Sequence, residues 1–339
     1  MLDILNPFSG PSTISEVTEL RIYPIKSCRG ISVQKSFLTR QGLNLDRRWM
    51  FVDAKTMKFI TIRDISEMTL IDTSLDSTSS NLTISIQSTS HSITIPARPS
   101  SSWLESNTTL SRVNIWEYDT DAYVYSEEIN SIFTNFFSKP VKLVYKGPTP
   151  RILRGNGAPE HLGREESTNF PDVLPLLIAN EGSLRELNER LKAKGQESIT
   201  VERFRPNIIV RGAESGEAIK GGLPTAWSED SWKTVRIIPA GEQKSGFASL
   251  LGGGEKPLEI DVQARCARCQ VPNVNPDTAE KNKKEPWDTL VSYRRVDEGI
   301  KWKPCFGMLS CPRNEGDIAV GMKFEVVATT EDHNYIKGF

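Results

Sequence analysis

Histidine is scarce in this sequence. His91, His161 and His333 are the whole complement in 339 residues, and no two are close in the chain. A Ser or Cys nucleophile served by a His base is therefore disfavoured. The glycine motifs that cradle nucleotides are missing too: no G-x-x-x-x-G-K-[ST] occurs, and no G-x-G-x-x-G follows a strand-like run, which excludes P-loop and Rossmann readings. G-x-S-x-G is absent as well. No apolar run approaches the 18 or so residues of a membrane span. Charge of one sign is also lacking. The 42 basic and 43 acidic residues leave a net charge of −1, which argues against a nucleic-acid or membrane-surface binder. The first twenty residues contain no Lys or Arg and are broken by Pro7 and Pro11, unlike a secretory signal or a transit peptide. Five cysteines, an odd number, suit a reducing compartment better than a disulfide framework. The expectation is a soluble cytoplasmic protein.

What is present is mostly β pattern. Residues 16–27, 30–39, 47–53 and 58–64 are β-branched or aromatic runs, several of them alternating. Residues 71–102 are rich in Ser and Thr yet keep the alternation in "NLTISIQ" and "HSITIPA", which predicts edge strands with loose turns. In "SEEINSIFTNFFSKP", Ile129, Ile132, Phe133, Phe136 and Phe137 make one apolar stripe, a helix with Ser126 as candidate N-cap. Residues 147–171 combine Gly, Pro and charge without period and read as a boundary loop. Beyond it, 173–180, 207–212, 232–239, 258–264 and 322–327 read as strands. "SLRELNERLKAKG" reads as a helix with Ser183 and Glu186 as a capping box, and 285–296 as a short helix. The Gly-rich stretch 241–257 precedes no helix start and reads as an insertion rather than a phosphate cradle. Strands dominate both halves, so the expected fold class is mainly β with some helices (α+β), built as β-barrels.

The chemistry concentrates in "RCARCQVPNVNPDT", which begins at Arg265 and holds Cys266 and Cys269. Four readings are open at this point. Cys305 and Cys311 could complete a zinc site, although their spacing is wide and no His is near. A thioredoxin-like pair would need a helix start that Pro272 and Pro276 deny it. A c-type haem would need His where Gln270 stands, and buried, inert thiols are the default. Basic and polar residues also gather at strand ends, in "YPIKSCRG", "LDRRW", "IRD" and "RFRPNI". If these converge, they make an anion pocket with forked Arg donors.

Taken in order, "IYPIKSCRG", "LDRRW", "FRPNI", "EDSW", "RCxxCQVPNVNPDT" and "EPWDTLVSYR" resemble the MOSC family (molybdenum cofactor sulfurase C-terminal domains), and within it the amidoxime-reducing components. The likeness runs from about residue 16 to 328. It implies an N-terminal β-barrel-like domain over 14–150 and a C-terminal MOSC β-barrel over 165–330, with a pterin-bound molybdenum between them. In the family a cysteine shortly before P-D-T ligates the metal, and the offset to Pro276 assigns that role to Cys269. Lys26, Ser27, Arg47, Arg205 and Asn207 match cofactor-holding positions, and Arg63 and Arg268 are expected beside them. Asn180 stands where the family usually has Ser. Thiolate is a soft ligand suited to a metal already bound by dithiolene sulfur, and Arg268 and the metal would both favour that form of Cys269. The implied activity is two-electron reduction of N-hydroxylated compounds, with molybdenum cofactor as cofactor and a separate donor, a cytochrome b5 with its flavin reductase. The alternative is a module that carries the cofactor or its sulfur without turnover. The pyridoxal-phosphate sulfurase domain that gives the family its name has no counterpart within this chain.

Overall fold

The computed structural model describes residues 14–212, 223–239 and 256–338. The expected insertion at 241–257 falls almost wholly outside them. The centre of the molecule is a closed barrel of seven strands. Around the barrel these run Ile208–Val210, Leu176–Asn180, Cys305–Pro312, Leu258–Ala267, Trp232–Ile238, Lys323–Thr329 and Ile14–Ile22, and the last pairs back onto the first. Closure removes the exposed sheet edges that an open sheet would leave. Only the Leu176–Asn180 and Ile208–Val210 pair is parallel, and its crossover is the helix Glu181–Ala193. The strand Ile14–Ile22 is a stave of this barrel although it lies at the start of the sequence.

The rest of the first half builds smaller sheets against the barrel. Trp49–Asp53, Val141–Lys146, Tyr118–Tyr125 and Thr108–Ile115 form one of four strands, and Ile71–Leu75, Asn81–Ile86 and Ser92–Pro96 form one of three. The three-stranded sheet is the Ser/Thr-rich segment, folded as the alternation predicts. The helix Glu127–Phe137 drops Phe133 and Phe137 onto Phe51, with ring centroids 4.8 and 5.5 Å apart. A single apolar cluster continues from these rings into barrel residues such as Ile178, Val210 and Val262. Each such buried side chain contributes roughly 1.5–3 kcal/mol of transfer free energy.

Three expectations need correcting. Residues 58–64 form no strand, because Phe59 and Lys58 make only isolated bridges to Val52 and Asn114 and the chain then turns. The helix expected to start at Ser183 begins at Glu181. Asn180 is its N-cap and accepts from the Gly182 N–H at 2.9 Å, so no Ser183–Glu186 capping box forms. The aperiodic stretch 147–171 is not all loop, since Arg151–Ile152 pairs with Ser167–Thr168.

Candidate functional site

Where the barrel meets the first half, turns from both line one cavity of about 470 Å³. Eight of the nine residues expected at a cofactor site share it: Lys26, Ser27, Arg47, Arg63, Arg205, Asn207, Arg268 and Cys269. With Lys303 and Lys337 added, seven cations line the cavity against one carboxylate, Asp172. The chain as a whole is close to neutral, so this excess is local and built by the fold.

The backbone under the cations is unusual. Ser27, Arg47 and Arg205 all have positive φ, at 71°, 48° and 58°. Non-glycine residues rarely adopt that region, and each instance costs on the order of 1–3 kcal/mol unless its surroundings impose it. At Arg47 those surroundings are visible. One Nη donates to Asp46 at 2.6 Å and to Asn207 Oδ1 at 3.1 Å, and the other donates to the Arg205 carbonyl at 3.0 Å. The fully buried ring of Tyr23 has the Arg47 guanidinium 4.7 Å from its centroid and that of Arg205 4.3 Å away. Gly30 leaves room for the ring, since a Cβ there would sit 2.5 Å from it. Asn207 also joins the strands beneath, accepting from Leu177 N–H and donating to the Arg21 carbonyl.

Two of these guanidiniums have spare donors. Arg205 Nη2 and Arg268 Nε are buried without a hydrogen-bond partner, and neither residue has a carboxylate within ion-pair distance among the described residues. Burial pulls the Arg205 pKa down, opposed by the nearby Tyr23. A buried, unmatched donor is expensive, and both residues line the cavity, where an anion would meet their positive charge.

The opposite wall is organised by Asp172. It forms ion pairs with Lys26 and, at 2.9 Å, with Arg63, and it accepts from Trp116 Nε1 at 3.1 Å. Burial acts to raise its pKa, but Lys26 and Arg63 overcome that and hold the carboxyl well below the usual range. Lys26 is pushed down to about 8 by burial, with Asp172 working against the shift. The segment carrying Asp172 is fixed from below by Arg151, which donates to the carbonyls of Asn169 and Pro171. Arg63 lines the same cavity as Cys269 and lies near enough to interact with it electrostatically. Arg268, expected to favour the thiolate of Cys269, donates instead to Cys266 Sγ at 3.0 Å. Burial pushes the Cys266 thiol up, against the pull of Arg268.

Two domain models match the chain: MOSC N-terminal beta barrel domain over residues 14–140 and MOSC domain over residues 165–325. The chain belongs to the MOSC-domain family. The molybdenum cofactor sulfurase of Arabidopsis thaliana is 32% identical over 300 residues, covering 86% of this chain but 32% of that protein. The mitochondrial amidoxime reducing component 2 of Macaca fascicularis is 29% identical over 321 residues, covering 91% of this chain and 82% of that protein. The mitochondrial amidoxime-reducing component 1 of Homo sapiens is 27% identical over 317 residues, with coverage of 91% and 82%. The chain thus spans about a third of the plant sulfurase and most of the length of the amidoxime-reducing relatives. Among the described residues, no helix is long and apolar enough to cross a membrane.

Within the MOSC cavity, Asn180 is the expected residue that does not take part. It is fully buried, and its amide donates to the Thr225 carbonyl and to Glu229 while its oxygen caps the helix. The zinc reading has no geometry behind it, because no three of His, Cys, Asp or Glu gather among the described residues. Cys305 and Cys311 are buried in one strand of the barrel wall, where burial pushes both thiols up to about 12. Asp172, Trp116 and Tyr23 were missed. Tyr23 stands in the same short motif as Lys26, but Asp172 and Trp116 lie in stretches with no pattern to mark them.

Proposed function

We propose that this protein is a molybdenum-cofactor-dependent oxidoreductase that reduces N-hydroxylated compounds. Cys269 is the protein ligand to the metal, and Lys26, Ser27, Arg47, Arg63, Arg205, Asn207 and Arg268 surround the cofactor. The observation that carries the reading is the pair of buried, unmatched guanidinium donors of Arg205 and Arg268 in a cation-rich cavity that also holds an accessible thiol. An anionic pterin phosphate fits the first feature and a thiophilic metal the second. When bound, the cofactor supplies two-electron redox chemistry at its metal.

The chain's own groups divide the remaining work. Arg63, held by Asp172, places a positive charge near Cys269. Arg47 and Arg205, braced on Tyr23, present donors in fixed directions, so little order must be gained on binding. Leu174, Leu177, Leu309 and Tyr335 give the cavity an apolar side, which excludes water and suits a substrate with an apolar body. Overall, one N–O bond breaks, one N–H bond forms and water leaves, at the expense of two electrons and two protons. This sequence has no nicotinamide, flavin, haem or iron–sulfur motif, so the reading includes a separate donor, a cytochrome b5 with its flavin reductase.

The test is to purify the protein from a molybdenum-replete, cofactor-competent host, measure its metal and assay amidoxime reduction with reduced methyl viologen. Molybdenum near one per chain with turnover is expected, and protein without molybdenum overturns the reading. The likeness to the plant sulfurase favours a second reading, a carrier of the cofactor or its sulfur. Bound cofactor with no reduction of several N-hydroxy compounds would decide for that one.

A further inference from the structure

Trp302 is the most exposed large apolar side chain among the described residues, at 81%. It stands between Lys301 and Lys303, both exposed. The turn that carries it reaches the cavity, because Ile300 and Lys303 line the mouth while Trp302 itself does not. Beside it runs the segment 335–337, where Tyr335 and Lys337 line the same mouth and Ile336 is 37% exposed.

These two segments are locked together. Asp297 Oδ1 accepts from the N–H groups of Gly299 and Tyr335, each at 2.9 Å. Gly299 lies so close that a Cβ there would sit 2.2 Å from the Tyr335 carbonyl oxygen. Asn156 accepts from Ile336 N–H at 2.7 Å. Arg268 N–H donates to the Pro304 carbonyl at 2.8 Å, tying the rim to the segment that bears Cys269. The rim is therefore a fixed surface, with three lysines and one exposed acid, Glu298, across 298–303 and 335–337.

We infer that this rim is the docking face for an acidic one-electron carrier protein. The inference rests on the reductase reading of the site. An exposed indole flanked by lysines is of the type enriched among residues that dominate binding. The lysines select an acidic partner and speed its approach. A second copy of this chain is a poor occupant, because a two-fold contact would set these lysines against themselves. A substrate is also a poor one, since Trp302 does not line the cavity. Each encounter oxidises one carrier by one electron. Two encounters and two protons complete one N–O cleavage.

The experiment compares holoenzyme with Trp302→Ala and Lys301→Glu, driven either by cytochrome b5 with its NADH-dependent reductase or by reduced methyl viologen. With the protein donor, KM for cytochrome b5 should rise about tenfold in Trp302→Ala, the loss expected for one dominant contact. Lys301→Glu should lower the rate and flatten its salt dependence. Viologen-driven kcat/KM should stay unchanged in both. An unmoved KM in both variants overturns the inference, as does an equal loss with viologen or a change of oligomeric state on sedimentation. If the unsubstituted protein reduces nothing with either donor, the reductase reading has failed separately. Calorimetric titration with cytochrome b5 then decides the docking face, and equal or absent binding in the unsubstituted and Trp302→Ala proteins overturns it.

Discussion

Lys26 should make the cofactor-free protein less stable than it would be without that charge. Its side chain is nearly fully buried, and its pKa falls from 10.5 to about 8. The sign follows from proton linkage. Between these two values the unfolded chain keeps a proton that the folded chain has released, so stability rises with pH across that window. The cost of holding the charge is complete below the folded value and gone above the unfolded one. A difference of 2.5 units corresponds to about 3 kcal/mol. Lys26→Met removes this contribution but leaves the Phe170 carbonyl, now bonded at 2.9 Å, without its donor, which offsets about 1 kcal/mol. The variant should therefore be more stable than the unsubstituted protein by about 2 kcal/mol at pH 7. That advantage should vanish or reverse by pH 11, a swing of about 3 kcal/mol. Urea unfolding of both proteins in the cofactor-free state, at matched pH values, measures it; other alkaline titrations cancel in the difference. A stability difference that stays constant between pH 7 and 11 would refute the reasoning. Lys26→Met should also fail to retain molybdenum in a cofactor-competent host.

Cys269→Ser should lose molybdenum and essentially all activity, because an alcohol is a harder and far less acidic ligand, whereas Cys266→Ser should keep most of both. Equal loss of metal and turnover in the two variants would point instead to a paired-thiol mechanism. Asp172→Asn strips Lys26 and Arg63 of their shared counter-ion and should destabilise the fold by roughly 1–2 kcal/mol in urea at pH 7, less than for a fully buried pair, since 35% of the Asp172 side chain is open to solvent. An unchanged urea midpoint would mean that Asp172 anchors neither cation. With NADH as the sole reductant the purified protein should reduce no amidoxime, and turnover there would reveal a nicotinamide or flavin site that this sequence does not display.

The β pattern was legible at Asn81–Ile86, whose exposure alternates residue by residue, but Tyr118–Tyr125 also alternates and was not read as a strand. It failed at Cys305–Pro312, which is buried at every position and so shows no alternation, and which Gly307 at φ 74° interrupts. The helix Ser101–Asn107 was missed for the opposite reason: Leu104 is its one buried residue, too little to set a stripe. Barrel closure by Ile14–Ile22 is a long-range pairing with Val210, Ile209 and Ile208, and no local pattern encodes it. At the site, the thiol and the clustered cations were readable because their motifs are short and ordered. Asp172 was not, because a lone acid in an aperiodic stretch acquires meaning only once Arg151 has placed it between Lys26 and Arg63. Asn180 misled for a related reason, since the same strand-end position can face a pocket or cap the helix that follows.

Several features of this cavity weaken the empty fold, and they occur together. Three non-glycine residues take left-handed backbone conformations, two guanidiniums leave buried donors unmatched, and a lysine is desolvated. None of these is needed to fill the barrel core, which is apolar. Ser27, Arg47, Arg205, Arg268 and Lys26 all line one cavity beside a thiol, and on the proposed reading an anion bound there would offset part of these costs. A ligand that binds the folded state alone stabilises it by about 2.7 kcal/mol at a hundred times its dissociation constant. On the proposed reading, loading and folding are coupled through Arg205, Arg268 and Lys26. A substitution that relieves one of these costs should make the empty protein sturdier and the loaded protein scarcer.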